Sequence, residues 1–120
     1  MTLILAASLL AAQVAAPQII ETSPVPLDQT QQIALRCSVA FALASRQQQD
    51  GTVADESWPE LAERGREYFV RSMARIMDET GATRTGLGEY LRPESEALQQ
   101  PGRLEEIMPS CLLMLDASGL

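Results

Sequence analysis

The sequence predicts an all-α domain: four helices in an orthogonal or bundle-like arrangement, with one disulfide joining the first and last helices. Hydrophobic residues make up 46% of the 120 residues but aromatic residues only 4%, so the core must be aliphatic. Alanine, leucine and methionine supply that core and are strong helix formers, whereas strand-favouring residues are sparse and scattered. A chain of this length forms one domain with a modest core.

The charge of the chain disfavours several classes of function. There are 16 acidic residues against 9 arginines, with no lysine and no histidine, so the net charge is −7. An acidic domain repels a phosphate backbone, and we therefore expect no nucleic-acid partner. The absence of histidine removes the commonest general base and the commonest zinc ligand. We predict neither a metal nor a cofactor, and we favour a role other than catalysis.

The first sixteen residues, MTLILAASLLAAQVAA, carry no charge and predict a signal peptide for export. Their apolar run, Leu3 to Ala12, has the length of a signal-peptide core and is too short to span a bilayer. Two features oppose this interpretation: no basic residue precedes the run, and Pro17 would follow the cut. Cleavage after Ala12, a start further upstream or a buried N-terminal helix are the alternatives.

The domain boundaries follow from a change in composition. Residues 17–27 are rich in proline, threonine and serine and predict a flexible linker. Residues 28–120 carry the helical patterns and form the predicted helical domain. We expect no stable membrane span once the signal peptide is removed.

The first helix is predicted over residues 29–49. Asp28 and Gln31 have the spacing of a capping box. Apolar residues then recur at helical spacing, at Ile33, Cys37, Ala40, Phe41 and Ala44. Gly51 follows the polar end of the pattern, where a left-handed residue commonly closes a helix.

The second helix, over residues 58–80, has the clearest pattern. Ser57 and Glu60 have the spacing of a second capping box, and Pro59 is tolerated in a first turn. The apolar stripe consists of Leu61, Gly65, Tyr68, Phe69, Ser72, Met73, Ile76, Met77 and Thr80. Gly65 costs about 1 kcal/mol relative to alanine within a helix, so we expect it to permit the close approach of another backbone.

Two shorter helices complete the prediction. The third covers residues 84–100, is capped by Thr83 or Thr85 and is kinked at Pro93, because the apolar spacing continues across the proline. A turn over 103–108 and a last helix over 109–117, opened by Pro109, follow. The run LLML in this last helix is apolar on all sides, which is typical of a helix buried between neighbours.

The only two cysteines, Cys37 and Cys111, lie on the apolar stripes of the predicted first and last helices. An even number of cysteines in an exported protein favours a disulfide. Two free buried thiols are the alternative, and a redox couple is disfavoured because there is no C-x-x-C motif. We predict a structural bridge that contributes about 4 kcal/mol in the chain-entropy model.

The second helix also carries the only concentration of basic residues. We predict that a partner binds there, through Arg64, Tyr68, Arg71 and Arg75. The arginines would suit an acidic partner. The alternative is an ordinary solvated face, because i,i+4 ion pairs are common on surface helices and this helix has three, Glu60–Arg64, Glu67–Arg71 and Arg75–Glu79.

The chain resembles a group of bacterial proteins in three blocks: LRCSVAFALA, WPELAERGREYFVRSMARIMDETG and IMPSCLLMLDASGL. These blocks resemble small exported two-cysteine helical proteins of alphaproteobacteria, especially sphingomonads, from Leu35 to the C-terminus. The resemblance implies a periplasmic helical domain and no catalytic residues. In architecture alone, the chain is also similar to immunity proteins that neutralise secreted cell-wall toxins.

The leading functional hypothesis is a periplasmic interaction or binding module for an envelope protein. The alternative is a carrier of a small apolar, lipid-like ligand, held in a core lined by Met73, Met77, Met108 and Met114. A minor alternative is a hydrolase that uses carboxylates, for which the acid pairs are Glu94/Glu96 and Glu105/Glu106.

Overall fold

The computed structural model describes residues 25–120, which form four α-helices and no strand. The helices are α1 (Gln29–Asp50), α2 (Arg64–Thr80), α3 (Arg84–Leu98) and α4 (Arg103–Ala117). Helix α1 contacts all three others and packs most extensively against α2, whereas α2, α3 and α4 contact one another sparsely. The predicted all-α class is confirmed. The predicted signal peptide and residues 17–24 of the predicted linker lie outside the described residues.

Helix α1 begins and ends as predicted. The Gln31 N–H donates to the Asp28 carboxylate at 2.7 Å, and the Asp28 N–H donates to the Gln31 side chain at 3.0 Å, which completes the capping box. At the other end Gly51 adopts φ 70°, and its N–H donates to the last carbonyls of the helix. A side chain at that angle would be strained, so glycine fixes the end of α1.

Helix α2 begins at Arg64, six residues later than predicted. Ser57 does not cap it, because the Ser57 N–H and hydroxyl both donate to the Asp55 carboxylate in a local turn. The Gln48 amide of α1 donates to the Pro59 carbonyl at 2.8 Å and accepts from the Leu61 N–H at 3.0 Å. Since that carbonyl is bonded to α1, it is not part of a helical ladder, and α2 starts only beyond it.

Both internal prolines lie within continuous helices. In α3 the Thr83 hydroxyl accepts from the Gly86 N–H at 3.1 Å, and the helix continues through Pro93 as predicted. The predicted turn over 103–108 and a helix start at Pro109 are wrong, because α4 begins at Arg103. Pro109 is exposed. The opposite face of α4 is buried before and after the proline, at Leu104, Met108, Cys111 and Leu115. That burial offsets the cost of a proline inside a helix.

The buried side chains form two clusters. The main core consists of Cys37, Val39, Ala40, Phe41, Ala44, Trp58, Leu61, Tyr68, Leu98, Leu104, Met108, Cys111 and Leu115. The second cluster consists of Leu35, Met73, Ile76 and Leu87. Leu27 also packs against the second cluster. The Tyr90 hydroxyl donates to the Val25 carbonyl. The chain that enters α1 is therefore held against α3.

A disulfide joins Cys37 of α1 to Cys111 of α4, as predicted, with the two Cα atoms 5.1 Å apart. Both cysteines belong to the main core and are almost fully buried. The bond connects the central helix to the last one across the most deeply buried part of the molecule. It is compatible with an oxidising, exported environment.

Candidate functional site

A groove of about 650 Å³ lies between α1, α2 and α4. Its apolar lining includes Ala34, Met114, Ala117 and Leu120. We call it the Met114 groove. Three of the four predicted partner-binding residues, Tyr68, Arg71 and Arg75, line it as well. The sequence pattern therefore located one wall of a concave surface, and α4 supplies the apolar wall opposite.

Tyr68 connects this groove to the main core. Its ring packs edge-on against Phe41, with centroids 5.2 Å apart and planes at 86°, a favourable aromatic geometry. Burial raises the pKa of the Tyr68 phenol, and a hydrogen bond with the Ser72 side chain partly offsets that increase. The phenol is therefore neutral at physiological pH and presents a hydroxyl, not a charge, to the groove.

The arginines that line the Met114 groove are matched by carboxylates on their own helix. Arg75 pairs with Glu79 at 3.0 Å, and Arg71 lies 4.0 Å from Glu67. Glu79 also accepts from the Gln31 amide at 2.9 Å, which ties the end of α2 to the capping box of α1. Asp78 is a further carboxylate in the lining. The rim of this groove is therefore polar and close to charge balance.

Arg64, the fourth predicted residue, lies outside this lining and stabilises the fold. Its guanidinium binds the Asp116 carboxylate at 2.9 Å and the Leu120 carbonyl at 2.8 Å. The predicted Glu60–Arg64 pair is absent from the ion pairs of residues 25–120. The reason is that α2 begins only at Arg64, so Glu60 does not lie one helical turn before it. Arg64 instead holds the end of α4 against α2.

Helix α4 exposes two large apolar side chains, which corrects the prediction that the LLML run is buried on all sides. Leu113 is 72% exposed and Met114 is 40% exposed. The cause is that α4 packs on α1 but contacts α2 and α3 only sparsely, so only one of its faces is covered. Both residues also line a second groove of about 480 Å³ that runs over the disulfide, between Ile33 of α1 and Ile107 of α4. Met114 thus lies between the Met114 groove and this second groove.

Sequence reasoning missed a third groove, of about 520 Å³, between the end of α1 and the start of α2. Arg46 and Arg66 line it together with Phe41, Leu61 and Phe69. We call it the two-arginine groove. One indication was present in the sequence, because Ala62 and Val70, four residues before and after Arg66, cannot neutralise it, and Glu63, three residues before it, precedes the first turn of α2.

The other candidate groups behave as structural or surface residues. Met73 and Met108 are buried in packed clusters and line none of the three grooves, whereas Met77 is half-buried. Among the carboxylates of residues 25–120, only Glu94 is as much as half-buried, and it pairs with Arg36 at 2.6 Å. The described part of the chain therefore brings together no pair of buried acids for acid–base chemistry.

Two searches of residues 25–120 add to this description. The described helices are too short or too polar to cross a membrane. Within the same range there is no group of three or more cysteine, aspartate or glutamate side chains that could hold a metal ion.

Comparison with known proteins suggests no role for these three grooves. No protein-family model matches the chain, and it is significantly similar to neither a curated protein nor a solved structure. The resemblance to exported alphaproteobacterial proteins stays a prediction.

Proposed function

We propose that this chain is an exported, periplasmic binding module that docks an envelope protein on α4 and the adjacent Met114 groove. The observation that carries the proposal is the exposure of Leu113 and Met114 on one short helix, between two grooves. Apolar side chains grouped in this way favour contact with a partner over contact with water.

The lining of the groove suggests what the partner presents. An apolar side chain of the partner would fill the space between Met114 and Ala34, where the lining is mostly apolar. Carboxylates beside it would accept hydrogen bonds from Arg71 and Arg75, both of which are exposed. Because these arginines already have partners on α2, they contribute orientation and specificity more than affinity. The expected partner segment is apolar at its centre and acidic at its edges.

The compartment is part of the proposal. The uncharged apolar start of the sequence and the Cys37–Cys111 bond both favour export to an oxidising environment. Fractionation of cells that express the native gene, with the intact mass of the product, tests this part. A full-length reduced product in the cytosol would contradict it.

The docking proposal is tested by charge substitution on α4. We expect Leu113→Glu combined with Met114→Glu to abolish capture of the partner from envelope extract, because a charge buried at an apolar contact is costly. The matched control is Val70→Glu on α2, which replaces a side chain that is 55% exposed but lines none of the three grooves.

A second pair of substitutions tests the rim of the groove. Arg71→Glu with Arg75→Glu should weaken capture less than the α4 pair and should leave the helical content unchanged. Arg64 is unsuitable for this purpose, because it holds α4 through Asp116 and its loss would disturb the fold. Capture that survives the α4 substitutions undiminished would move the docking site elsewhere.

A further inference from the structure

The arginines of the described chain divide into two groups by their partners. Ion pairs among residues 25–120 engage Arg36, Arg64, Arg71, Arg75 and Arg103. The other four, Arg46, Arg66, Arg84 and Arg92, form none within this range, although Asp50 lies one turn beyond Arg46. Arg46 and Arg66 differ from Arg84 and Arg92 because they line a groove, which they reach from different helices.

The shape of this groove depends on Gly65. A Cβ atom at this position would lie 2.9 Å from the Cβ of Phe41, so glycine allows α1 and α2 to approach closely there. The floor is then formed by the buried side chains of Phe41 and Leu61, and the half-buried ring of Phe69 forms one side. No aspartate or glutamate lines the groove.

This combination selects an anion with an apolar part. Arg46 and Arg66 line this groove without a carboxylate, so an anion bound in it would lower their electrostatic free energy and accept hydrogen bonds from them. Guanidinium geometry matches a carboxylate as well as a phosphate, and the apolar lining favours the anion that carries a hydrocarbon part. The volume falls in the range of small-molecule sites, about 300–1,000 Å³, which are mostly apolar with a few polar groups.

A small ligand fits these observations better than a protein segment. The most exposed apolar side chain of the described chain, Leu113, lies on α4 and not at this groove. A protein interface needs roughly 800 Å² on each partner, with apolar anchors near its centre. The two-arginine groove offers two charges beside a buried floor formed by Phe41 and Leu61.

We propose that the two-arginine groove is a second binding site, separate from α4, which takes a small amphiphilic carboxylate. Arg46 and Arg66 donate hydrogen bonds to its carboxylate. Its hydrocarbon part lies along Phe69 and the small side chains Ala42 and Ala62, which also line the groove.

Decanoate, titrated below its micelle concentration into the mature protein, is a suitable probe. We expect binding that shifts the backbone amide signals of Ser45 and Gly65, both of which line the groove. Arg46→Gln with Arg66→Gln should weaken that binding by roughly tenfold or more, the loss expected for hydrogen bonds to a charged group. Both arginines are exposed, so the melting temperature should change little.

Two controls decide the interpretation. Arg71→Gln with Arg75→Gln removes the same charge from the Met114 groove and should leave decanoate binding unchanged. Decanol and inorganic phosphate, which each carry half of the proposed chemistry, should bind the original chain more weakly than decanoate does.

Several outcomes would overturn the proposal. They are the absence of decanoate binding, equal losses from the two arginine pairs, and phosphate binding as tight as that of decanoate. A glutamate-rich peptide that displaces decanoate at lower concentration would assign the groove to protein partners instead. Each of these results is independent of whether the α4 substitutions abolish capture.

Discussion

The two apolar clusters of this molecule are assembled in different ways. The main core takes residues from every helix and from the 51–63 loop, and it contains the Cys37–Cys111 bond. The second cluster has four buried residues, contributed by α1, α2 and α3 alone. Both depend on α1, which contributes Phe41 to the first and Leu35 to the second.

The difference between them reflects distance along the chain. Cys37 and Cys111 are separated by 74 positions, so closing the main core costs much chain entropy, which a covalent bond reduces. Helices α2 and α3 are joined by only three residues, so the second cluster requires a long closure only to Leu35 of α1. We conclude that most of the stability is held in the main core and that local opening begins near α3. Four substitution experiments test this difference between the clusters.

Removal of the disulfide should have the largest effect. We expect Cys37→Ser or Cys111→Ser to cost a few kcal/mol and to lower the melting temperature by roughly 10–20 °C, because the unfolded chain regains its freedom. The double variant should melt close to either single variant, since both lose the same bond. Thermal melting and thiol titration under denaturing conditions provide the measurement. Two titratable thiols in the original protein would contradict the bond.

Two methionines provide a matched comparison of the clusters. Met108 is completely buried in the main core and Met73 is 6% exposed in the second cluster. Methionine-to-alanine substitutions in cores cost about 2–5 kcal/mol, depending on how far the site collapses. We expect Met108→Ala to be near the upper end of that range and Met73→Ala near the lower end, by urea unfolding. Equal losses would mean that the second cluster is as tightly packed as the main core.

We expect alanine substitutions at two glycines to change the stability of the fold in opposite directions. Gly65→Ala places a Cβ atom against the Cβ of Phe41, which cannot move without α1, so we expect a loss of about 1–3 kcal/mol in stability. Gly88→Ala on α3 meets nothing within 4 Å. That substitution should stabilise the fold by up to about 1 kcal/mol through helix propensity. Chemical unfolding measures both, and a stabilising Gly65→Ala would contradict the close approach.

The smallest expected effect is a pH dependence from Tyr68. Its pKa is raised by burial, so the neutral phenol is favoured in the folded state. The corresponding stability is fully present below the unfolded pKa of about 10 and is lost as the pH rises through the folded pKa. Absorbance of the phenolate should show a late titration step that Tyr68→Phe removes. A lost step that lies at the ordinary tyrosine pKa of about 10 would contradict the burial.

Sequence reasoning succeeded where a local pattern decides the structure. The capping box at Asp28, the close of α1 at Gly51 and the cap at Thr83 are each properties of a few adjacent residues. The close approach at Gly65 was also predictable, because a glycine within a strong helical stripe weakens the helix unless a neighbouring element needs the space.

The errors in the fold came from contacts between distant residues. The start of α2 is delayed because the Gln48 amide of α1 holds the Pro59 carbonyl, eleven positions away. At α4, a proline was interpreted as a helix start, but a stripe from Leu104 to Leu115 is buried continuously across it. In both cases tertiary burial and hydrogen bonding outweighed the local preference of these residues for a helix start.

For the candidate site, the sequence identified one wall of a groove and could not identify the opposite wall. Tyr68, Arg71 and Arg75 share a face of α2, and helical spacing is sufficient to group them. That Met114 faces them depends on how α4 packs on α1, which no local pattern specifies. For the same reason, the sequence could not predict that Arg46 and Arg66, which lie on different helices, line one groove.

The position of the disulfide also determines how the molecule would respond to a mechanical pull. The bond closes a ring that contains all of α2 and α3, so tension between Val25 and Leu120 passes through the two sulfur atoms and bypasses both helices. Only the segments outside the ring can unravel, which shortens the extension by 74 positions, or roughly 250 Å at about 3.4 Å each. Leu113 and Met114 lie outside the ring, whereas Arg71 and Arg75 lie within it. A partner that pulls on α4 would therefore peel one wall of the Met114 groove away and leave the other in place.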